Sequence, residues 1–226
     1  MTGGAGADTF KVDSGTDTVK DLGGSSGGET DVLIVSSGAT ANATDITSFT
    51  ASSSTKNEGA ANLTTKVAGG TIDIGNSTTG AYSLTGLTGN DTLKGNGNAD
   101  TIIGGNGDDT IDGRGGNDII NAGGGDDIIT VSSAGQGDGD TIDGGSGTDT
   151  LSLSNGSHSF ATDAKLQNIN SINLASTSTV IDLTGQTESL TITGGAQADT
   201  ITAGTGDDII NGAGGADIIK LSLIHI

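Results

Sequence analysis

An all-β solenoid of short parallel strands is the fold this sequence predicts, and three observations predict it. A nine-residue step recurs in phase: Asp91, Asp100, Asp109, Asp118 and Asp127 keep it strictly, and Asp140 and Asp149 resume it after a short insertion. Each unit follows G-G-x-G-x-D-x-U-x, a glycine-rich half followed by a short half centred on a large aliphatic residue U. The aliphatic position itself forms a ladder, Leu84, Leu93, Ile102, Ile111, Ile120 and Ile129, that never leaves the step.

The units justify themselves in order. From Gly86 they read GLTGNDTLK, GNGNADTII, GGNGDDTID, GRGGNDIIN and AGGGDDIIT, then GQGDGDTID and GGSGTDTLS after the insertion. The unit returns at 194–220 as GGAQADTIT, AGTGDDIIN and GAGGADIIK, and the chain opens on GGAGADTFK and a weaker VDSGTDTVK. The glycine half suits a sharp turn with left-handed residues and exposed carbonyls. The last three residues, such as Thr110-Ile111-Asp112, suit a very short strand with its middle side chain inward. Two units then make one coil. Asp91, Asp109 and Asp127 fall on one edge, and Asp100 and Asp118 on the other.

Carboxylates stacked at strand spacing repel one another, and a hard cation held by them and by turn carbonyls removes the conflict. An all-oxygen donor set favours calcium over zinc. Composition agrees: the net charge is -20, Gly numbers 42, Pro and Cys are absent, and aromatics make up 2%. So little apolar surface does not offset ordering entropy and self-repulsion, and the metal-free chain is expected to be largely disordered. The alternative is that the aspartates are turn-formers of a metal-free solenoid. It does not account for Asp at the same place in every unit.

These repeats resemble the RTX (repeats-in-toxin) hemolysin-type calcium-binding repeats, in particular surface-layer and adhesin-like members. The resemblance covers roughly half of the chain. It implies a right-handed parallel β-roll holding several calcium ions in its turns, and a secreted or cell-surface bacterial protein exported by type I secretion. The candidate metal ligands are Asp8, Asp91, Asp100, Asp109, Asp118, Asp127, Asp140, Asp149, Asp199, Asp208 and Asp217, with turn residues Gly105, Gly107, Gly123, Gly125, Gly145 and Gly147. Asn98, Gln197 and Asp138 replace glycines and are expected to weaken their turns. Asp108, Asp126 and Asp207 are expected to face solvent, and Arg114, at a glycine position, to sit over its turn as a counter-charge.

The expected organisation is a partial repeat block at 1–20, a Ser/Thr-rich insert at 21–85, the main calcium block at 86–152, a second insert at 153–193, a second repeat block at 194–220 and a non-native tail at 221–226. An ordinary aliphatic last strand is the alternative for the tail, and the whole reads as a fragment of a longer repetitive protein. Both inserts are expected to continue the solenoid without calcium. In the second, Leu151, Phe160 and Ile169 carry the ladder inward, and Leu174, Leu183 and Ile192 carry it on to Ile201, Ile210 and Ile219, with a phase break between. Thr30-Asp31-Val32-Leu33 and Thr148-Asp149-Thr150-Leu151 begin two copies of a longer repeat.

The chain is not expected to be an enzyme. H-E-x-x-H, G-x-S-x-G and phosphate-loop motifs are absent, no catalytic residue is assigned, and His158 reads as a solvated loop residue. At the place of a dinucleotide fingerprint's third glycine stands Asp118 or Asp217, which would repel a pyrophosphate. The offsets of Asp138-Gly139-Asp140-Thr141-Ile142-Asp143-Gly144 do not fit an EF-hand loop. Nucleic acid is not expected at this charge, nor is a membrane span. Besides calcium, the expected partners are a cell-surface ligand or further copies of the chain. Two alternative functions stand beside the calcium module: an adhesin or surface-layer module whose inserts bind a partner, and the C-terminal part of a secreted enzyme or toxin.

Overall fold

The computed structural model describes residues 1–23, 30–132 and 139–221. It is an all-β solenoid whose strands pair in parallel throughout. Parallel neighbours need a crossover. Here the crossover is a strand of another face with a turn at either end. Among the described residues, only the one-turn 3-10 segment Asp163–Lys165 is helical, and no helix is long and apolar enough to cross a membrane.

A 9-stranded sheet runs from Ser48–Thr50 through Thr71–Asp73, Thr92–Lys94, Thr110–Asp112, Ile128–Val131, Thr150–Leu153, Ser171–Leu174 and Thr191–Thr193 to Ile209–Asn211. An 8-stranded sheet runs from Thr16–Lys20 through Thr40–Ile46, Ala60–Thr65, Tyr82–Thr85, Thr101–Asn106, Ile119–Gly124 and Thr141–Ser146 to Leu166–Gln167. Between the two sheets lies the aliphatic ladder. Leu93, Ile111, Ile129, Leu151, Ile172 and Ile192 stack in register in the first, and Leu63, Leu84, Ile102, Ile120, Ile142 and Leu166 in the second. All are buried, each burial being worth about 2 kcal/mol, while the flanking Thr, Ser and Asn side chains point outward.

A third face joins the two main sheets in part of each segment without the glycine–aspartate signature. Thr9–Val12, Val32–Val35 and Lys56–Asn57 form a 3-stranded sheet on the N-terminal side, so that the coils over 32–73 visit three sheets in turn. Toward the other end, Gly156–Ser159, Thr179–Asp182, Thr200–Thr202 and Ile218–Lys220 form a 4-stranded sheet that takes over where the 8-stranded one ends.

This third face corrects the expected ladder of the second insert. Leu151 pairs with Ile172 rather than continuing through Ile169, and Ile172 with Ile192. Leu174 lies opposite Leu153 as a second apolar rung. The coil holding 156–159 carries one strand more than its neighbours, which breaks the nine-residue count. The same strand corrects the reading of His158. That residue is only 2% exposed and stands in register with Ile181 and Ile201, its Nε2 3.0 Å from the Ser154 carbonyl oxygen. Asp138, most of the turn it belongs to, and residues 222–226 of the tail lie outside the described residues.

Candidate metal centres

Two edges carry the repeat aspartates. The first consists of the turns that lead from the 8-stranded into the 9-stranded sheet and holds Asp91, Asp109, Asp127 and Asp149. The second leads back and holds Asp100, Asp118 and Asp140. Every one of these seven side chains is buried, and each edge forms a hydrogen-bonded column. The Asp91 amide donates to Oδ1 of Asp109 at 2.7 Å, Asp109 to Asp127 at 2.7 Å, and Asp127 to Asp149 at 2.9 Å. On the second edge Asp100 donates to Asp118 and Asp118 to Asp140, both at 2.8 Å. The first pairs span 18 residues, one coil, and those that cross the insertion 22. The column then passes into uncharged chemistry, the Asp149 amide donating to Oδ1 of Asn170 at 2.6 Å.

The other carboxylate oxygen is where the residues divide. In Asp8, Asp91, Asp109, Asp118, Asp127, Asp149 and Asp208, Oδ2 is buried with no hydrogen-bond partner. In Asp100 and Asp199 both oxygens are filled. Asp100 accepts from Tyr82 and Asn96 amides, and Asp199 from those of Thr179 and Gly195. Asp217 accepts from the Asp199 amide through Oδ1. Asp8, Asp208 and Asp217, toward the two ends of the stack, are only partly buried.

For Asp91, Asp109 and Asp149 the orphaned oxygen lies beside a backbone carbonyl of the adjoining coil. A methyl placed on Gly86 would overlap the Gly104 carbonyl oxygen and come within 2.7 Å of Asp91 Oδ2. One on Gly104 would meet the Ala122 carbonyl oxygen and Asp109 Oδ2, and one on Gly144 the Asn168 carbonyl oxygen and Asp149 Oδ2. Where Ala122 opens a unit that methyl is present and buried, so the hollow beside Asp127 is narrower. The turns bring further carbonyls. Gly105, Gly107, Gly123, Gly125, Gly145 and Gly147 have φ of 114°, 124°, 115°, 133°, 93° and 134°, a region closed to most side chains. A methyl on Gly107 would lie 2.5 Å from the Gly89 carbonyl oxygen, and one on Gly125 would overlap that of Gly107.

No group of three or more acidic, histidine or cysteine side chains converges among the described residues. The donor set is one carboxylate oxygen with backbone carbonyls of stacked turns, hard oxygen chemistry that suits calcium. Electrostatics agree. Burial pushes the Asp118 carboxyl up to about 8 and those of Asp100 and Asp109 up to about 6, and raises Asp127 and Asp149 as well. Neighbouring carboxylates add to the rise at Asp109, Asp118, Asp127 and Asp149. A buried anion short of a counter-charge is the situation a bound cation relieves.

Sequence reasoning missed two parts of this arrangement. Asp108 and Asp126 are exposed, yet they form an outer ladder: the Asp108 amide donates to Asn90 Oδ1, Asp126 to Asp108 Oδ1 and Thr148 to Asp126 Oδ1, at 3.0, 2.9 and 2.8 Å. Asp207 is exposed too, its amide donating to Ser189 Oγ at 3.2 Å. Asp31, in the first insert, extends the inner chemistry with both oxygens filled by the amides of Asp8 and Gly23. Its signal was the repeat of Thr30-Asp31-Val32-Leu33 at 148–151, where Asp149 is a column residue.

Comparison with known proteins adds the family. The model for the RTX calcium-binding nonapeptide repeat matches residues 1–20, 80–111, 94–129, 134–157 and 191–219. Those stretches make up more than half of the chain and contain every repeat aspartate described above. Searches of curated proteins and of solved structures gave no match. With its parallel coils, its aspartate columns and these matched repeats, the chain belongs to the RTX calcium-binding nonapeptide repeat family.

Proposed function

We propose that this chain is a calcium-driven folding module of a secreted or cell-surface protein, exported unfolded by the type I route and ordered by calcium outside the cell. The observation that carries the reading is the set of buried, unpartnered Oδ2 atoms at Asp91, Asp109, Asp118, Asp127 and Asp149. Left as anions they oppose folding. Bound to calcium, with turn carbonyls from the adjoining coil, they join one coil to the next. Asp8 and Asp208 offer the same oxygen toward the ends, and Gly105, Gly107, Gly123, Gly125, Gly145 and Gly147 shape the carbonyl side. Calcium supplies charge neutralisation and cross-linking, not catalysis. Each filled site adds RT ln(1 + [Ca]/Kd), about 2.7 kcal/mol at a hundredfold excess over Kd. Extracellular modules bind with Kd near ~10⁻⁴ to 10⁻³ M, so cytosolic calcium leaves such sites empty and external calcium fills them.

The plain coils at 21–85 and 153–193 then act as calcium-free solenoid segments between the blocks. Their outward rows, such as Asn62 Nδ2 donating to Asn42 Oδ1 at 2.7 Å, give a polar face on which an adhesin or surface-layer partner would dock. The test is far-UV circular dichroism of the purified chain titrated with calcium from micromolar to about ten millimolar, with magnesium as the control. A cooperative coil-to-β transition with calcium alone is expected. A β spectrum that chelator leaves unchanged would refute metal-driven folding.

A further inference from the structure

We infer that Arg114 is a built-in cation that takes calcium's place on the second edge and staples the first plain insert to the metal-binding block. The inference rests on the calcium reading above and deepens it, because it says where calcium is not needed.

Arg114 is the chain's single arginine. It holds the unit position that Gly105, Gly123 and Gly145 hold on the first edge, and it keeps their left-handed backbone with φ of 64°. For a non-glycine residue that conformation is strained, and Ala213, at the same unit position, adopts it as well with φ of 61°. The Arg114 guanidinium reaches across three coils. Nη2 lies 3.0 Å from Oδ1 and 3.2 Å from Oδ2 of Asp73, 41 residues earlier in the sequence. Nη1 donates to the Gly95 carbonyl oxygen at 3.3 Å, and Nε stands 4.0 Å from Asp112 Oδ2. The group fills the hollow beside Gly75, where a methyl would overlap Nη1. A planar fork that binds two carboxylates and a carbonyl at once is work suited to arginine.

The oxygens it serves are telling. Gly95 opens its unit, and on the first edge the carbonyls at that position, those of Gly104 and Ala122, face an orphaned aspartate oxygen. On the second edge Tyr82 takes the aspartate's place in the preceding coil, so that turn brings no carboxylate. Arg114 supplies the positive charge there directly. The adjoining turn is closed by Asn96, which is 1% exposed. Its Nδ2 donates to the Gly80 carbonyl at 3.0 Å, its Oδ1 accepts from the Asn98 amide at 2.8 Å, and its own amide fills Oδ2 of Asp100. From Asp73 to Asp100 the second edge is therefore self-satisfied, while on the first edge Asp91, Asp109, Asp127 and Asp149 each keep an oxygen for metal.

Equilibrium dialysis with radiolabelled calcium, with circular dichroism on the same samples, tests this on the full chain. Three variants are compared with the wild type: Arg114→Gly, Arg114→Lys, and Arg114→Gln combined with Asp73→Asn. Arg114→Gly relieves the backbone strain and leaves Asp73, Asp112 and the Gly95 carbonyl without their cation. It is expected to bind one more calcium ion than the wild type and to fold at a calcium concentration at least threefold higher. Arg114→Lys keeps the charge and the wild-type stoichiometry. The double variant removes charge from both sides and gains no ion, which keeps the inference open to refutation even where the glycine variant stays unfolded. Unchanged stoichiometry and midpoint in Arg114→Gly, or an extra ion in the double variant, overturns it. A wild-type chain that binds no calcium overturns the calcium reading itself and takes this inference with it.

Discussion

Asp118→Asn should move the chain in opposite directions with and without calcium. Asp118 Oδ1 accepts the Asp100 amide at 2.8 Å, a bond an asparagine can keep, as Asn170 does for the Asp149 amide at 2.6 Å. Oδ2 is buried and unpartnered, and burial pushes this carboxyl up to about 8, with Asp140 and Asp100 adding to the rise. The unfolded chain ionises near ~3.9. Linkage between the two values makes the buried anion cost about 4 kcal/mol at neutral pH as an upper bound, and solvent screening and local relaxation bring that nearer ~2 kcal/mol. The asparagine removes that cost and also removes a charged ligand. In metal-stripped buffer titrated with trimethylamine N-oxide, which strengthens burial, the variant is expected to reach β structure at lower osmolyte than the wild type. In calcium it is expected to bind one ion fewer. A variant that needs more osmolyte than the wild type without metal would refute the reasoning, because Asp118 would then stabilise the metal-free fold instead of opposing it.

Three further outcomes follow from the same geometry. The folded values of Asp118, about 8, and of Asp100 and Asp109, about 6, lie above the unfolded one, so the folded chain binds more protons between them. Their contribution is therefore fully present below about pH 4 and lost as pH rises through 6 and 8, and metal-stripped chain should gain β structure on acidification; circular dichroism at pH 8, 6 and 4 checks this, and a spectrum as unfolded at pH 4 as at pH 8 would count against it. With calcium present the dependence should reverse, since protons compete for the same oxygens. Gly125→Ala, at φ of 133° and against the Gly107 carbonyl, should cost about 3 kcal/mol and raise the calcium midpoint severalfold, where a midpoint within experimental error of wild type would show that the turn can re-form. His158→Leu trades a buried imidazole with an unpartnered Nδ1 for an aliphatic rung beside Ile181 and should stabilise the calcium-loaded chain by about 1 kcal/mol in urea denaturation.

How much of this was legible depended on whether a feature repeats. The step from Asp91 to Asp127 fixed which aspartates share an edge, and Leu93, Ile111 and Ile129 fixed the core, because two nonapeptides make one coil and the side-chain period of a strand does the rest. Where a coil gains a third strand the count fails, so Ile172 rather than Ile169 takes the rung above Leu151. His158, in the polar strand Gly-Ser-His-Ser at 156–159, read as a solvated loop residue because nothing within that strand alternates apolar with polar. The division within the carboxylates was out of reach for a different reason. Whether Oδ2 is orphaned, as in Asp109, or filled, as in Asp100, turns on where one backbone amide points. Gly105 belongs to the strand Thr101–Asn106, which runs on into the turn, whereas the Asn96 amide turns back onto its own aspartate. Composition carries no trace of that choice. Arg114 could be placed over its turn from its glycine position, but Asp73, 41 residues away, only became its partner once the coils were stacked.

The 9-stranded sheet has a mechanical meaning. It alone continues unbroken across the handover, from Ser48 to Asn211, while its partner face is handed from the 8-stranded to the 4-stranded sheet around Gly156–Leu174. Tension along the axis is thus borne by a continuous spine of parallel backbone hydrogen bonds. Bending and torsion concentrate at the handover, where the flanking walls are spliced. The rod this chain forms is continuous in tension and jointed in flexure, with the joint set in a coil whose turns carry no repeat aspartate.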